Sequence, residues 1–341
     1  MSGRAAGEQV TIADVARHAG VAASTVSYVL SGKRTISAGT RDRVLASVRA
    51  LGYHPNAGAR ALASRKANVI ALVLPLRTGM QVPVVMQFAT AVVTTARGYD
   101  HDVLLVTSDE GPAGLRRIAG SALVDGVLLM DVELEDSRVP LLRDLALPSV
   151  LIGHPTDPTG LACVDLDFHR AGEVCVEHLA DAGHRRIALL GAPAAVYARG
   201  TGFAHRTRAG VVAAAARLGV EAATLPVEEG PAAVRRDLAE LLERHPDVSA
   251  LVVQNESAVG PVLASLPLLG RRVPQDVSVV AICPDQFAEQ SGLTCVPVPA
   301  EEVGRQAVTL LMRRLREEPV PQVTLLQPRL TVRDSTAPAG R

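Results

Sequence analysis

At 341 residues the chain has room for two or three domains of about 150 residues each, and with 48% hydrophobic residues it is too apolar to be globally disordered. Four Phe, four Tyr and no Trp leave Leu, Val, Ile and Ala to fill the core. The net charge of zero divides unevenly: residues 1–66 hold ten Lys or Arg against Glu8, Asp14 and Asp42, a net +7, and the remainder carries −7. That is the charge pattern of a small polyanion-binding module fused to a mildly acidic body.

The first predicted helix opens at Thr11, an N-cap with Asp14 in its first turn, and runs through Ile12, Val15, Ala16 and Ala19 on one face to Gly20. A second carries Val26, Val29 and Leu30 inward and stops at Ser31-Gly32. Ser37 is the expected cap of a third, with Val44, Leu45, Val48 and Leu51 facing in and Gly52 ending it. The first two are shorter than the roughly 12 residues at which an isolated helix becomes marginal, so they must fold by packing together. Three short helices with a glycine-bearing turn between the first two make a helix-turn-helix, whose second helix faces the DNA major groove.

From residue 67 the pattern changes to strands alternating with helices. "NVIALVLP" (68–75), "HDVLLVT" (101–107), "GVLLM" (126–130) and "PSVLIG" (148–153) read as buried parallel strands, separated by helices near 84–97, 113–123 and 137–145. A second series follows at 185–191, 222–227, 250–255 and 278–283, with helices near 168–182, 205–218, 231–245 and 256–265. An amphipathic helix at 299–317 and closing strands in "QVTLLQPRLTVRDS" end the pattern. Two such series imply two doubly wound lobes with a ligand cleft between them.

Cys163, Cys175, Cys283 and Cys295 form no CxxC pair and lie in no His-rich neighbourhood, so idle thiols in a reducing compartment are expected, with no disulfide frame and no metal site. No apolar leader precedes the first helix and no run of 18 apolar residues occurs, which points to a cytoplasmic chain without membrane contact. GxSxG, P-loop, GxGxxG and HExxH motifs are absent, so no catalytic residues are assigned and no cofactor is expected.

The stretch "VTIADVARHAGVAASTVSYVLSGKRTISAGTRDRVLASVRALGYHPNAGARAL" resembles the DNA-binding head of the LacI/GalR transcriptional regulators, and the likeness continues through "VDGVLLM", "EHLADAGHRRIALLG" and "VPQDVSVVAI". The resemblance implies a homodimeric repressor of near-palindromic double-stranded operators: a helix-turn-helix head (1–54), a hinge helix (55–66) and a two-lobed, periplasmic-binding-protein-like core (67–341). By the same resemblance Ala23, Ser24 and Tyr28 occupy base-reading positions, and Thr11, Thr25, Ser27, Tyr53 and Asn56 phosphate-contacting ones. In the hinge, Ala59 lies near the turn into the minor groove and Leu62 matches a wedge that unstacks the central base step. Alanine can touch only a thymine methyl and Tyr28 cannot make the bidentate guanine contact of an arginine, so the recognition helix reads little directly. Specificity is therefore expected to lean on the hinge.

For a small effector, with a carbohydrate favoured, the resemblance points to Asp167, Arg206, Asn255, Glu256 and Asp285, with Tyr197 and Phe203 as stacking surfaces in an extended loop. Thr207 and Arg208 lie as close as Arg206 to the family's ligand-binding arginine. Asp167 also reads as an N-cap, and Arg206 and Arg208 as a solvated face. "QVPVV" lacks the aromatic platform the family often has there, and "NE" and "AICPD" also depart from its pattern. These departures leave a second reading open, an effector-independent regulator with a drifted cleft. An enzyme fused to a DNA-binding head is the third.

Overall fold

The computed structural model describes residues 10–31, 34–53, 67–77, 81–145 and 147–340. It divides into a unit comprising Met1–Ala67 and a larger one comprising Asn68–Arg341.

In the first unit, helices α1 (Ile12–Ala19), α2 (Ala23–Ser31) and α3 (Ala38–Leu51) close around Val15, Ala16, Ala19, Val26, Val44 and Tyr53. Helix α1 opens with a capping box: the Asp14 amide donates to Thr11 Oγ1 at 3.3 Å and the Thr11 amide to Asp14 Oδ2 at 3.0 Å. Gly20 and Gly52 end α1 and α3 in the left-handed conformation that glycine adopts without steric cost. Ser37 precedes α3, but its hydroxyl bonds Thr40 Oγ1 at 3.0 Å instead of capping the backbone. A polar pair ties α1 to α3: His18 Nδ1 lies 2.9 Å from Ser47 Oγ, which donates to the Arg43 carbonyl at 2.8 Å. The hinge expectations, including Asn56, Ala59 and Leu62, lie outside the described residues.

The second unit holds two all-parallel sheets. The first lobe has six strands in the order β11-β5-β4-β3-β1-β2 and the second five, β10-β9-β8-β6-β7. Their ranges are β1 Val69–Val73, β2 Asp102–Val106, β3 Gly126–Leu129, β4 Ser149–Ile152, β5 Cys163–Leu166, β6 Arg186–Gly191, β7 Glu221–Pro226, β8 Ala250–Val253, β9 Ser278–Cys283, β10 Thr294–Pro297 and β11 Val323–Leu326. The chain passes between lobes after β5, after β10 and after β11, so the lobes are interleaved in sequence.

Helices cover both faces of each sheet. In the first lobe α4 (Val82–Arg97) and α13 (Ala300–Arg314) lie on one face, with α5 (Gly111–Gly120) and α6 (Val139–Asp144) on the other. In the second, α7 (Phe168–Asp181) and α9 (Gly202–Leu218) oppose α10 (Pro231–Arg244) and α11 (Glu256–Leu268). Two short helices, α8 (Ala194–Ala198) and α12 (Asp285–Gln290), sit at strand ends.

Strands β5 and β10 are not among the sequence expectations, being four residues each and broken by Asp165 and Pro297. Strand β2 was expected to be buried. It is an edge strand, and Leu104 and Leu105 are exposed. Burial of both faces needs a neighbour on either side, which an edge strand lacks.

Helices α7 and α9 cross backbone to backbone through two glycines. A Cβ on Gly210 would lie 1.9 Å from the His169 carbonyl oxygen, and one on Gly172 would lie 2.4 Å from that of Thr207. Gly260, inside α11, faces open space, with the nearest atom at 4.0 Å. Gly210→Ala should therefore lose about 1–3 kcal/mol to overpacking, whereas Gly260→Ala should gain up to about 1 kcal/mol from helix propensity. Urea unfolding of both variants checks this; equal effects would mean the crossing is loose.

Candidate functional site

In the head, Ala23, Ser24 and Tyr28 stand exposed on α2, while Val26 is fully buried. Thr25 and Ser27 are half-buried, Thr11 is exposed at its capping box, and Tyr53 is packed into the core at 8% exposure. Arg34 lies over the Tyr28 ring, 5.7 Å from its centre, adding a cation to the exposed face.

In the second unit, a cavity of about 130 Å³ opens between the lobes at the strand ends. Phe203, Arg206 and Glu256 line it, as expected for an effector site. Phe88, Phe168, Asp131, Asp165, Arg199 and Gln254 line it as well and were not anticipated. The missing aromatic platform is thus replaced from α4, α7 and α9: Phe88 reaches in from one, and Phe168 and Phe203 pair at 5.6 Å from the others.

The remaining candidates are held elsewhere. Asp167 caps α7, accepting from the Arg170 amide at 2.9 Å. Asn255 caps α11: its Oδ1 accepts from the Ser257 amide and hydroxyl, and its Nδ2 donates to the Val227 carbonyl at 2.9 Å. Asp285 pairs with Arg333 at 2.7 Å, outside the cavity. Tyr197 and Phe203 lie in helices and not in an extended loop, and Tyr197 does not reach the cavity. Its hydroxyl packs against Gly191, where a Cβ would come within 2.2 Å, and Arg208 covers its ring at 4.7 Å. Thr207, fully buried, receives a hydrogen bond from Gln254 Nε2 at 2.9 Å. The ambiguity of register at 206–208 therefore resolves to Arg206 as the side chain in the cavity.

Arg206 crosses from the second lobe to the first. Its Nη2 donates to the His154 carbonyl at 2.8 Å and to His154 Nδ1 at 3.0 Å, while Nη1 is buried without a partner. Burial, and then the Arg206 charge, hold His154 below its ordinary pKa, in keeping with a neutral ring beside the guanidinium. Gln254, 2% exposed at the end of β8, spends its Nε2 on Thr207 and on the Phe203 carbonyl, leaving Oε1 buried and unpaired. Unpaired buried polar atoms are costly, so a donor facing Gln254 Oε1 and an acceptor facing Arg206 Nη1 would stabilise the cleft.

Two of the three lining carboxyls, those of Asp165 and Glu256, are shifted by burial. Asp165, 8% exposed in β5, is pushed by burial to about 7, against the partial pull of Arg206 and the Leu166 amide. Burial likewise raises Glu256 to about 7, with only its own amide opposing. Both signals were present in the sequence: an acid inside the apolar run "ACVDL", and a glutamine extending "ALVV". Among the described residues no group of three or more His, Cys, Asp or Glu could hold a metal ion, and no helix is long and apolar enough to cross a membrane.

Residues 11–56 match "Bacterial regulatory proteins, lacI family", and residues 176–336 match "Periplasmic binding protein-like domain". The chain is 32% identical to the HTH-type transcriptional regulator CelR of Thermobifida fusca over 346 residues, covering 95% of this chain and 98% of that one. The chain belongs to the LacI family. It is 30% identical to the HTH-type transcriptional regulator AglR of Rhizobium meliloti over 97% of its own length and 95% of that protein's. A CelR–cellobiose complex aligns with it at a TM-score of 0.66 and 28% identity, over 96% of this chain and 100% of that one. A lac repressor dimer bound to operator and the anti-inducer ONPF shares the fold at a TM-score of 0.83 and 22% identity, over 97% and 100%. As a LacI-family member the protein is a helix-turn-helix transcriptional regulator and not an enzyme, which sets aside the reading of an enzyme fused to a DNA-binding head.

The two raised carboxyls give stability a definite pH dependence. Each binds its proton more tightly in the folded state, so its contribution is full below about pH 4 and is lost as pH rises through about 7. The double variant Asp165→Asn/Glu256→Gln should gain several kcal/mol on the parent between pH 4 and pH 8, with each carboxyl contributing up to about 3–4 kcal/mol. Urea unfolding across that range tests it, and parallel profiles would show that neither carboxyl is perturbed.

Proposed function

We propose that this LacI-family regulator is a homodimeric repressor in the cytoplasm that binds a near-palindromic double-stranded operator and releases it when a small carbohydrate enters the interlobe cleft. The observation that carries the effector half is that Arg206 and Gln254, which line a cavity walled by Phe88, Phe168 and Phe203, each hold a buried polar atom, Nη1 and Oε1, with no partner among the described residues. A donor and an acceptor beside aromatic faces suit a polyhydroxylated ring, whose hydroxyls both give and accept while its C–H faces pack on phenyl rings. Phe203, Arg206 and Glu256 are the anticipated effector contacts that this reading keeps; Asp167, Asn255, Tyr197 and Asp285 act as supports around them.

The DNA half rests on family membership, the +7 head and the exposed row Ala23, Ser24 and Tyr28 on α2. Small side chains there favour positioning through phosphates over direct base reading. Dimer formation is supported by the apolar side chains left exposed on neighbouring elements of the first lobe: Val82, Met86 and Val93 on α4, and Leu104 and Leu105 on β2. A two-fold operator needs two heads about one helical turn apart, and a second copy seated on that surface supplies the second head.

The test uses the near-palindrome upstream of the gene or its neighbours, with a panel of neutral mono- and disaccharides that includes cellobiose. At least one sugar should weaken operator binding by the intact protein. Arg206→Ala and Gln254→Ala should still bind operator but need higher sugar concentrations, relative to their own operator affinity, for release. The arginine contact is worth about 1.5–3 kcal/mol of sugar affinity and the glutamine about 1 kcal/mol. Release unchanged in both variants would contradict the cleft assignment. Operator binding indifferent to every sugar would favour an effector-independent regulator.

A further inference from the structure

The donors and acceptors of the cleft are unevenly distributed. Arg206 and Asp165 line it from opposite lobes and partly balance in charge. Gln254 and Glu256, on either side of Asn255 between β8 and α11, line the same cavity, and ionised Glu256 and Gln254 Oε1 offer it acceptors. Gln254 has already given both described Nε2 contacts to protein, and its Oε1 is buried with no partner. Among the described residues Glu256 makes no ion pair, and no arginine or lysine is among the influences on its carboxyl. Ionised Glu256, the effect of its burial opposed by its own amide alone, shares with the unpaired Gln254 oxygen a cavity walled by Phe88, Phe203 and Ile282, so both stand to gain from a ligand's donors.

A sugar hydroxyl brings one donor and no charge, so a neutral sugar would dry the corner further and favour protonated Glu256. An ammonium group brings three donors and a full positive charge, enough for the Glu256 oxygens and Gln254 Oε1 together. We propose that the effector of this cleft is a saccharide bearing a protonated amine, its ammonium seated between Gln254 and Glu256 and its hydroxyls toward Arg206 and Asp165. This rests on the reading that the cleft takes a sugar, and narrows it to an aminated one.

The test is calorimetric titration of the full chain at pH 8 with glucose and cellobiose, and with their counterparts carrying a single amine at C2, C3 or C6. At least one aminated member should bind ten-fold or more tighter than its hydroxyl parent. In Glu256→Gln the ratio of the two dissociation constants should fall to near one. Should that variant not fold, the parent protein gives the same information. Lowering the pH from 8 to 5.5 protonates Glu256 and should shrink the preference. Asp165 titrates in the same range, so Asp165→Asn should retain the preference at pH 8. A parent sugar that binds as tightly as every aminated form overturns the inference and leaves the sugar reading standing. A preference that survives both Glu256→Gln and low pH overturns the assignment to this corner. No binding by any member removes both.

Discussion

The cleft exists because the lobes are clasped by backbone hydrogen bonds. The Gly202 amide donates to the Val132 carbonyl at 3.0 Å and the Leu134 amide to the Gly200 carbonyl at 2.7 Å, joining the loop after β3 to the turn before α9. Arg206, one turn into α9, extends the clasp to the His154 carbonyl after β4. Gly202 makes this possible, since a Cβ there would sit 2.4 Å from Arg206 Nη1 and 3.3 Å from the Val132 carbonyl oxygen. The same few residues close the cavity and supply its principal cation. A ligand engaging Arg206 therefore acts on the contact that sets the spacing of the two lobes, and lobe spacing is a two-state element through which a cleft can influence distant surfaces.

Elements with a strong local signature were legible in the sequence. Thr11–Asp14 and Gly20 fix the ends of α1 by side-chain and backbone chemistry that needs no tertiary partner. The apolar runs at β1, β3, β4, β8 and β9 lie in the interiors of their sheets, and buried parallel strands are uniformly apolar. What was not legible depends on the neighbours. β2 has the composition of an inner strand and lies at an edge, because strand order is set by the crossovers. β5 hides behind Asp165, whose cost in a buried strand is met by partial neutralisation and by Arg206.

The cleft was half legible for the same reason. Arg206 and Glu256 follow from the family resemblance of the segments that open α9 and α11, and Phe203 from its place beside Arg206. Asn255 is chemically as plausible as Gln254, yet the helix start claims every polar atom of Asn255 for capping and the Val227 carbonyl, and turns Gln254 to the cavity. Spacing along the chain cannot separate a cap from a ligand contact; the direction of the preceding strand does. Aromatic groups moved likewise, from the position after β1 to Phe88, Phe168 and Phe203, which meet only when three helices pack.

Regulation by the cleft is a coupling free energy between sugar and operator, and such coupling is reciprocal. The most direct measurement is the dissociation constant of one releasing sugar for the protein alone and for the protein saturated with operator. Sugar binding should weaken on the operator complex by the same factor by which saturating sugar weakens operator binding. Equal sugar affinity in the two states would contradict effector-driven release, however tightly the sugar binds.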